Sequence, residues 1–164
     1  MTPILPERLD WPSAVGNFIL NFGALDWHVL VFLEARLPAD EFAKTKGWHF
    51  QERIERVKSL LSSDNYSDEQ KRTFEKLFSR IEPIRELRNH IAHGLLLVRL
   101  LGDMKTREVT LSLPKNLDEN YVSETRHLKF VELTAALKML AVLIDDFEKL
   151  AGFKEMHLRR DRPE

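Results

Sequence analysis

Side chains that can bind and cleave a phosphodiester lie close together near the middle of the chain. The segment from Arg85 to Gly94 reads Arg-Glu-Leu-Arg-Asn-His-Ile-Ala-His-Gly. Arg88 offers a permanently charged, planar fork for two phosphate oxygens. An imidazole, which His93 supplies, can remove a proton from a hydroxyl or return one to a leaving oxygen. This pair suits metal-free RNA cleavage, in which a ribose 2′-hydroxyl attacks the adjacent phosphorus and a guanidinium stabilises the growing negative charge.

A helix would separate this segment into two faces, at about 100° per residue. The apolar face holds Ile84, Leu87 and Ile91. The polar face holds Arg85, Glu86, Asn89 and His93, with Arg88 on its border. We therefore predict Arg88 and His93 as the catalytic pair, and Asn89, Arg85 and His90 as groups that bind and position the substrate.

The segment must be held by helices, since apolar residues recur every three or four positions on both sides of it. The first predicted helix is capped by Asp10, starts at Trp11 and is stopped by Pro38. Its core row is Val15, Phe18, Phe22, Leu25, Val29 and Phe32. A second row, Ile19, Leu30, Leu33 and Leu37, is expected to meet another helix or another subunit. Polar residues interrupt the helix too often for a membrane span.

Three more helices follow from the same spacing. The second carries Phe50, Ile54, Val57, Leu60 and Leu61, with Arg53, Arg56 and other charged residues on its outside, and its start, near Asp40 to Trp48, is blurred by Gly47. The third opens at a capping box formed by Ser67 and Gln70, contains Pro83, where a kink or restart is expected, and ends at Gly94. The last runs over residues 130–151 and is stopped by Gly152.

The residues between the last two helices follow a different pattern. Leu95 to Leu101 is a short apolar run, Gly102 and Asp103 suit a turn, and residues 109–113 alternate apolar and polar side chains, which is typical of a β-hairpin. Residues 114–125 are polar and irregular, and we expect a flap there. The predicted fold is all-α: an up-and-down antiparallel four-helix bundle in one domain, 1–164, with a hairpin and flap insertion at 95–125 and a basic tail at 153–164.

Composition limits the functions open to this chain. It has 164 residues, a net charge of −1 and 43% hydrophobic residues, which fits one globular domain and excludes wholesale disorder. The absence of cysteine excludes disulfides and thiolate chemistry and makes the cytoplasm the expected compartment, and the N-terminus does not resemble a secretory signal. A near-neutral charge argues against coating nucleic acid and favours one focused basic site.

Two histidines in this segment also raise the question of a metal site. His90 and His93 are three residues apart, but di-iron bundles use Glu-x-x-His, and Leu87 and His90 occupy the positions where such glutamates would stand. We therefore expect no metal and no cofactor. Arg88 and His93 also have a purely structural interpretation: they are cations near a helix C-terminus, where they interact favourably with the negative end of the helix dipole.

The string Arg88-Asn89-x-x-x-His93, followed by Gly94 at the end of a periodic helix, resembles the Arg-x(4–6)-His signature of the HEPN superfamily. The resemblance implies a small α-helical bundle and a metal-independent endoribonuclease, of the kind common in toxin-antitoxin and antiviral systems. It also implies a homodimer in which the motifs of two subunits form one cleft, with RNA as substrate and an antitoxin or other protein as a further partner.

The chain departs from the family's pattern at one position. Toxins paired with nucleotidyltransferase antitoxins usually carry a tyrosine two residues after the motif histidine, and this chain has Leu95 there. Silencing by modification of that tyrosine is therefore not expected. The alternative to an enzyme is a non-catalytic dimer of the same fold that binds a protein partner or a nucleotide through the same basic cleft.

Overall fold

The computed structural model describes residues 10–62, 66–93, 95–99, 108–115 and 122–152, which are predominantly helical as predicted. The helices are α1 (Trp11–Glu34), α2 (Ala39–Thr45), α3 (Phe50–Leu61), α4 (Asp68–His93) and α5 (Phe130–Ala151). The strands are β1 (Leu95–Arg99), β2 (Glu108–Lys115) and β3 (Val122–Lys129). The chain divides into two compact units, the first made of residues 1–22 and 82–141 and the second of residues 23–81 and 142–164.

The first unit combines segments of α1, α4 and α5 with the sheet. Its buried apolar residues include Phe18, Phe22, Ile84, Leu87, Leu128, Leu133, Leu137 and Leu140. The rings of Trp11 and Phe130 meet edge to face at the start of α1 and α5, with centroids 5.3 Å apart. The sheet has the order β1-β2-β3, and both pairs of strands are antiparallel. This unit contains the end of α4, where the predicted catalytic pair lies.

The second unit is built around three phenylalanines, one from each of the long helices. The Phe32 and Phe74 ring centroids are 5.9 Å apart, as are those of Phe32 and Phe147, and Phe74 lies 6.2 Å from Phe147. All three rings are almost completely buried. Edge-to-face packing of buried rings stabilises beyond the area they bury, so this cluster joins α1, α4 and α5 within the unit.

Three local predictions are confirmed at helix ends. The Asp10 carboxylate accepts a hydrogen bond from the Ser13 amide at 2.8 Å, which caps α1. Ser67 and Gln70 form the predicted capping box at α4, with bonds of 2.9 and 3.2 Å. Gly152 follows α5 with a φ of 72°, a left-handed conformation that glycine adopts without strain.

Other predictions about the helices were wrong. The segment before α3 forms a separate short helix, α2, which gives five helices among the described residues instead of four. α4 runs as one helix through Pro83, so of the expected kink or restart the restart does not occur, and Pro83 itself is exposed. Arg53, predicted on the outside of its helix, is 9% exposed because it binds groups from α1 and from the end of α2.

The segment between α4 and α5 also differs from the prediction. A third strand, β3, covers residues 122–129, the first half of which was expected to belong to an irregular flap. Its pairing with β2 runs from Glu108 opposite Lys129 to Lys115 opposite Val122. The predicted turn at Gly102 and Asp103, the remainder of the flap at 116–121 and the basic tail at 153–164 lie outside the described residues.

The apolar rows of α1 are partly confirmed. Most of the core row is buried, and so are Leu33 and Leu37 of the second row, whereas Ile19 and Leu30 are half-buried. The large apolar side chains that α1 exposes are Leu20, at 73%, and Trp27, at 61%.

Within the described residues, α1 is also the one helix whose length and hydropathy would let it cross a membrane, a test that core helices of soluble proteins also pass.

Candidate functional site

The end of α4 is held in the first unit by its apolar side. Ile84 and Leu87 are 6% and 4% exposed, whereas Ile91, predicted to be buried, is half-buried. The helix ends at His93, and β1 begins at Leu95. An amphipathic helix packs its apolar side against the core and turns its polar side to the surface. The polar side chains of the last two turns of α4 therefore lie at the surface.

Arg88 is half-buried and has no carboxylate partner among the described residues; Arg36 shares this feature, but its guanidinium donates to the Tyr66 hydroxyl and to the backbone oxygens of Phe32 and Ala151. Its Nη1 donates a hydrogen bond to Oδ1 of Asn89 at 3.3 Å. Its Cζ lies 5.7 Å from the centroid of the Phe22 ring, a cation–π contact. Arg53, Arg56, Arg80 and Arg85 each form an ion pair with an aspartate or glutamate.

This environment prepares Arg88 for an anion. A partly buried charge is costly unless a counter-charge or several hydrogen bonds compensate for it, and within the part of the chain that the structure describes Arg88 has one hydrogen bond and one aromatic face. Most of its N–H donors bind none of these residues. Because the Asn89 oxygen accepts from Arg88, the Asn89 amide nitrogen is left to donate, so the two side chains offer donors to the same ligand.

The other predicted basic group, Arg85, has a partner. Its Nε donates to Oε2 of Glu82 at 3.0 Å, and its Nη2 binds Oε1 of the same carboxylate. This hydrogen bonding raises the pKa of Arg85. Partial burial lowers the pKa, and the charges of Glu82 and Glu86 raise it further. The Arg85 fork is therefore occupied by Glu82, and Arg85 contributes to substrate binding only if it exchanges that partner.

The two histidines at the end of α4 differ in their surroundings. His90 is half-buried, and its Nδ1 lies 2.7 Å from the backbone oxygen of Glu86. His93 is exposed and forms no hydrogen bond or ion pair with any other residue that the structure describes. From Arg88, His93 is about 7.5 Å along the helix axis and about 140° around it, so the two side chains flank Asn89 without stacking.

Phe22 is the residue of this site that the sequence did not single out. Its spacing on α1 indicates a core position, and it is 4% exposed. A phenylalanine that only fills the core and one whose ring also contacts a guanidinium have the same sequence pattern. The contact between Phe22 and Arg88 joins two helices, and no signal along the chain predicts it.

Within the described residues there is no group of three histidine, aspartate or glutamate side chains suited to a metal. Comparison with protein families, curated proteins and solved structures finds no match to this chain.

Proposed function

We propose that the protein is a metal-independent endoribonuclease of the HEPN type, acting as a homodimer on single-stranded or loop RNA, with a place in a toxin-antitoxin or antiviral system. The observation that supports this most is Arg88: a half-buried guanidinium with no carboxylate partner among the described residues, next to Asn89 and five residues before an exposed histidine on the same helix. A phosphodiester supplies the missing negative charge. The Arg-Asn-x-x-x-His-Gly string and the predominantly helical fold agree with this assignment.

Each group has a role in the proposed reaction. Arg88 binds two phosphoryl oxygens and stabilises the charge that grows on them as the 2′-oxygen attacks the phosphorus. His93 moves a proton to or from one of the two ribose oxygens. Asn89 holds a phosphate oxygen or a base edge through its amide nitrogen. DNA lacks the attacking hydroxyl and should not be cut.

A homodimer is proposed because one motif provides a single Arg88–His93 pair and because α1 exposes two large apolar side chains. Leu20, in the first unit, is 73% exposed, and Trp27, in the second, is 61% exposed. Large apolar side chains exposed in this way are typical of surfaces that a partner covers. In the dimer, motifs of both subunits would form one cleft.

The test is cleavage of a mixed RNA pool by purified protein in EDTA. We expect wild type to produce fragments with a 2′,3′-cyclic phosphate and a 5′-hydroxyl, and to leave DNA of the same sequence intact. His93→Ala should lower the rate by about 10²–10⁴-fold. Arg88→Ala should lower it by about 10²–10³-fold.

Arg72→Ala is the matched control, since Arg72 is exposed on the same helix. It should cut at the wild-type rate. If wild type leaves RNA intact, or if His93→Ala and Arg88→Ala cut as fast as wild type, the nuclease proposal is wrong. RNA or nucleotide binding that Arg88→Ala removes, with the RNA left intact, would indicate the non-catalytic binding module instead.

A further inference from the structure

The ring of His90 is held in one tautomer. Its Nδ1 lies 2.7 Å from the backbone oxygen of Glu86, one turn earlier in α4. A carbonyl oxygen only accepts hydrogen bonds, so Nδ1 must carry the hydrogen. In the neutral ring, the lone pair is then on Nε2, the nitrogen farther from the backbone. His90 is therefore oriented as a base, with its proton-accepting atom at a fixed position.

His28 shows what the same arrangement looks like when it is purely structural. Its Nδ1 also binds the backbone oxygen one turn earlier, that of Ala24, at 2.6 Å. Its Nε2, however, lies 2.7 Å from a carboxylate oxygen of Glu148, so both ring nitrogens are engaged. The Nε2 of His90 has no hydrogen-bond partner among the residues that the structure describes. His28 therefore links two helices, whereas the Nε2 of His90 binds none of these residues.

His90 stands beside His93, the other histidine of the proposed site. It is three residues before His93, and residues at this spacing on a helix have Cβ atoms about 5–6 Å apart. Arg88, two residues before His90, lies about 160° away around the helix, so the histidine pair is the unit that the spacing brings together. Cleavage by the 2′-hydroxyl needs two proton transfers, one from the attacking oxygen and one to the leaving oxygen, and a single imidazole cannot hold both positions at once.

We infer that His90 is the catalytic base of the proposed ribonuclease, an assignment that rests on the proposed function, and that His93 is the acid. The Nε2 of His90 takes the 2′-hydroxyl proton while the 2′-oxygen forms its bond to phosphorus. The bond from phosphorus to the 5′-oxygen breaks, and that oxygen takes a proton from the His93 imidazolium. The products are a 2′,3′-cyclic phosphate and a 5′-hydroxyl. Proton exchange with water then restores both rings.

The first test measures the tautomer without any substrate. Nitrogen NMR of the ligand-free protein should show the neutral His90 ring with hydrogen on Nδ1 and none on Nε2, with His90→Gln identifying the signal. A neutral ring with hydrogen on Nε2 would overturn the inference, whatever the activity of the protein.

The second test is kinetic. In His90→Asn the amide nitrogen takes the place of Nδ1 and keeps the bond to Glu86, so the helix is preserved while the base is lost. We expect kcat to fall about 10²-fold with little change in KM. The rise of kcat/KM with pH, which reports deprotonation of the base, should disappear. His28→Asn, the matched control, should keep the wild-type pH profile.

A modified substrate separates base from acid. RNA with sulfur in place of the leaving 5′-oxygen needs no proton on departure, so it should restore cleavage by His93→Ala and not by His90→Asn. Restoration of His90→Asn alone would reverse the two roles and overturn the assignment. If wild type cuts RNA and His90→Asn cuts as fast, this inference fails while the proposed function stands. If wild type leaves RNA intact, the proposed function has failed, and the assignment of His90 falls with it.

Discussion

Arg88 in the first unit and Arg53 in the second are the same residue type in opposite settings. Arg53 is 9% exposed, and all three guanidinium nitrogens donate: to Asp26 at 2.7 Å, to the Lys46 oxygen at 2.9 Å and to the Thr45 oxygen at 3.1 Å. Arg88 is more exposed and, among the described residues, has no carboxylate partner and makes one hydrogen bond, of 3.3 Å. The described residues thus satisfy all the guanidinium nitrogens of Arg53 but not those of Arg88.

The histidines repeat this difference. His28 binds acceptors with both nitrogens, whereas His90 uses one and His93 binds no residue that the structure describes. A polar group with all its bonds made holds helices in place, and its loss should destabilise the fold. A group with unused donors or lone pairs contributes little to stability, and its loss should affect ligand binding or chemistry. The following four experiments test this division.

The largest effect is expected from Arg88→Lys. Lysine keeps the charge but lacks the planar fork for two phosphoryl oxygens, so kcat/KM for RNA should fall about 10²–10³-fold with little change in Tm. Single-turnover cleavage and thermal melting measure the two quantities. Arg80→Lys, on the same helix, keeps an ion pair with Asp146 available and should behave like wild type. Full activity of Arg88→Lys would show that charge alone suffices.

Arg53→Met should give the opposite result. It leaves the Asp26 carboxylate and two backbone oxygens without their donor, and we expect a loss of about 2–3 kcal/mol in the free energy of unfolding. Chemical denaturation measures it. RNA cleavage per folded molecule should be unchanged at a temperature where the variant is folded. A stable Arg53→Met, or a folded variant that no longer cuts, would contradict the division between the two settings.

His28→Ala should have a smaller effect on stability. It removes the links to Ala24 and Glu148, both partly exposed to solvent, so we expect a loss of about 1–2 kcal/mol. His90→Ala, which removes a single link to a backbone oxygen, should lose less stability and more activity. Melting curves and cleavage rates of the two variants, measured together, give the comparison. If His28→Ala lost activity while remaining folded, the structural role of His28 would be wrong.

The sequence was sufficient where the cause of a structure is local. The caps at Asp10 and Ser67 and the glycine stop at Gly152 depend on a few adjacent residues, and all three predictions are confirmed. The pairing of Arg85 with Glu82, three residues apart on a helix, could also have been predicted from spacing.

The sequence was insufficient where contacts join distant residues. Arg53 has the spacing of an outward residue, and its burial follows from Asp26, 27 positions earlier, and from the end of a short helix that the pattern did not separate. β3 is strand because β2 pairs with it, although its residues are mostly polar. For the candidate site, the residue types were visible in the chain, but the missing counter-charge of Arg88 and the tautomer of His90 depend on neighbours in space.

The smallest effect is expected at Asp10, which is fully exposed yet has a fixed partner, the Ser13 amide. Hydrogen bonds from Ser13 lower the pKa of Asp10, so its carboxylate stabilises the fold above the ordinary pKa, and this contribution is lost as the pH falls through the lowered value. Asp10→Asn retains a capping oxygen without the charge. Wild type should therefore melt slightly above Asp10→Asn at neutral pH, and the gap should close in acid. A difference in melting temperature that stays constant with pH would mean that the charge of Asp10 does not stabilise the fold. Asp10→Asn should not change RNA cleavage. Asp10, like Arg53 and His28, already has its partner within the fold, so its role is structural.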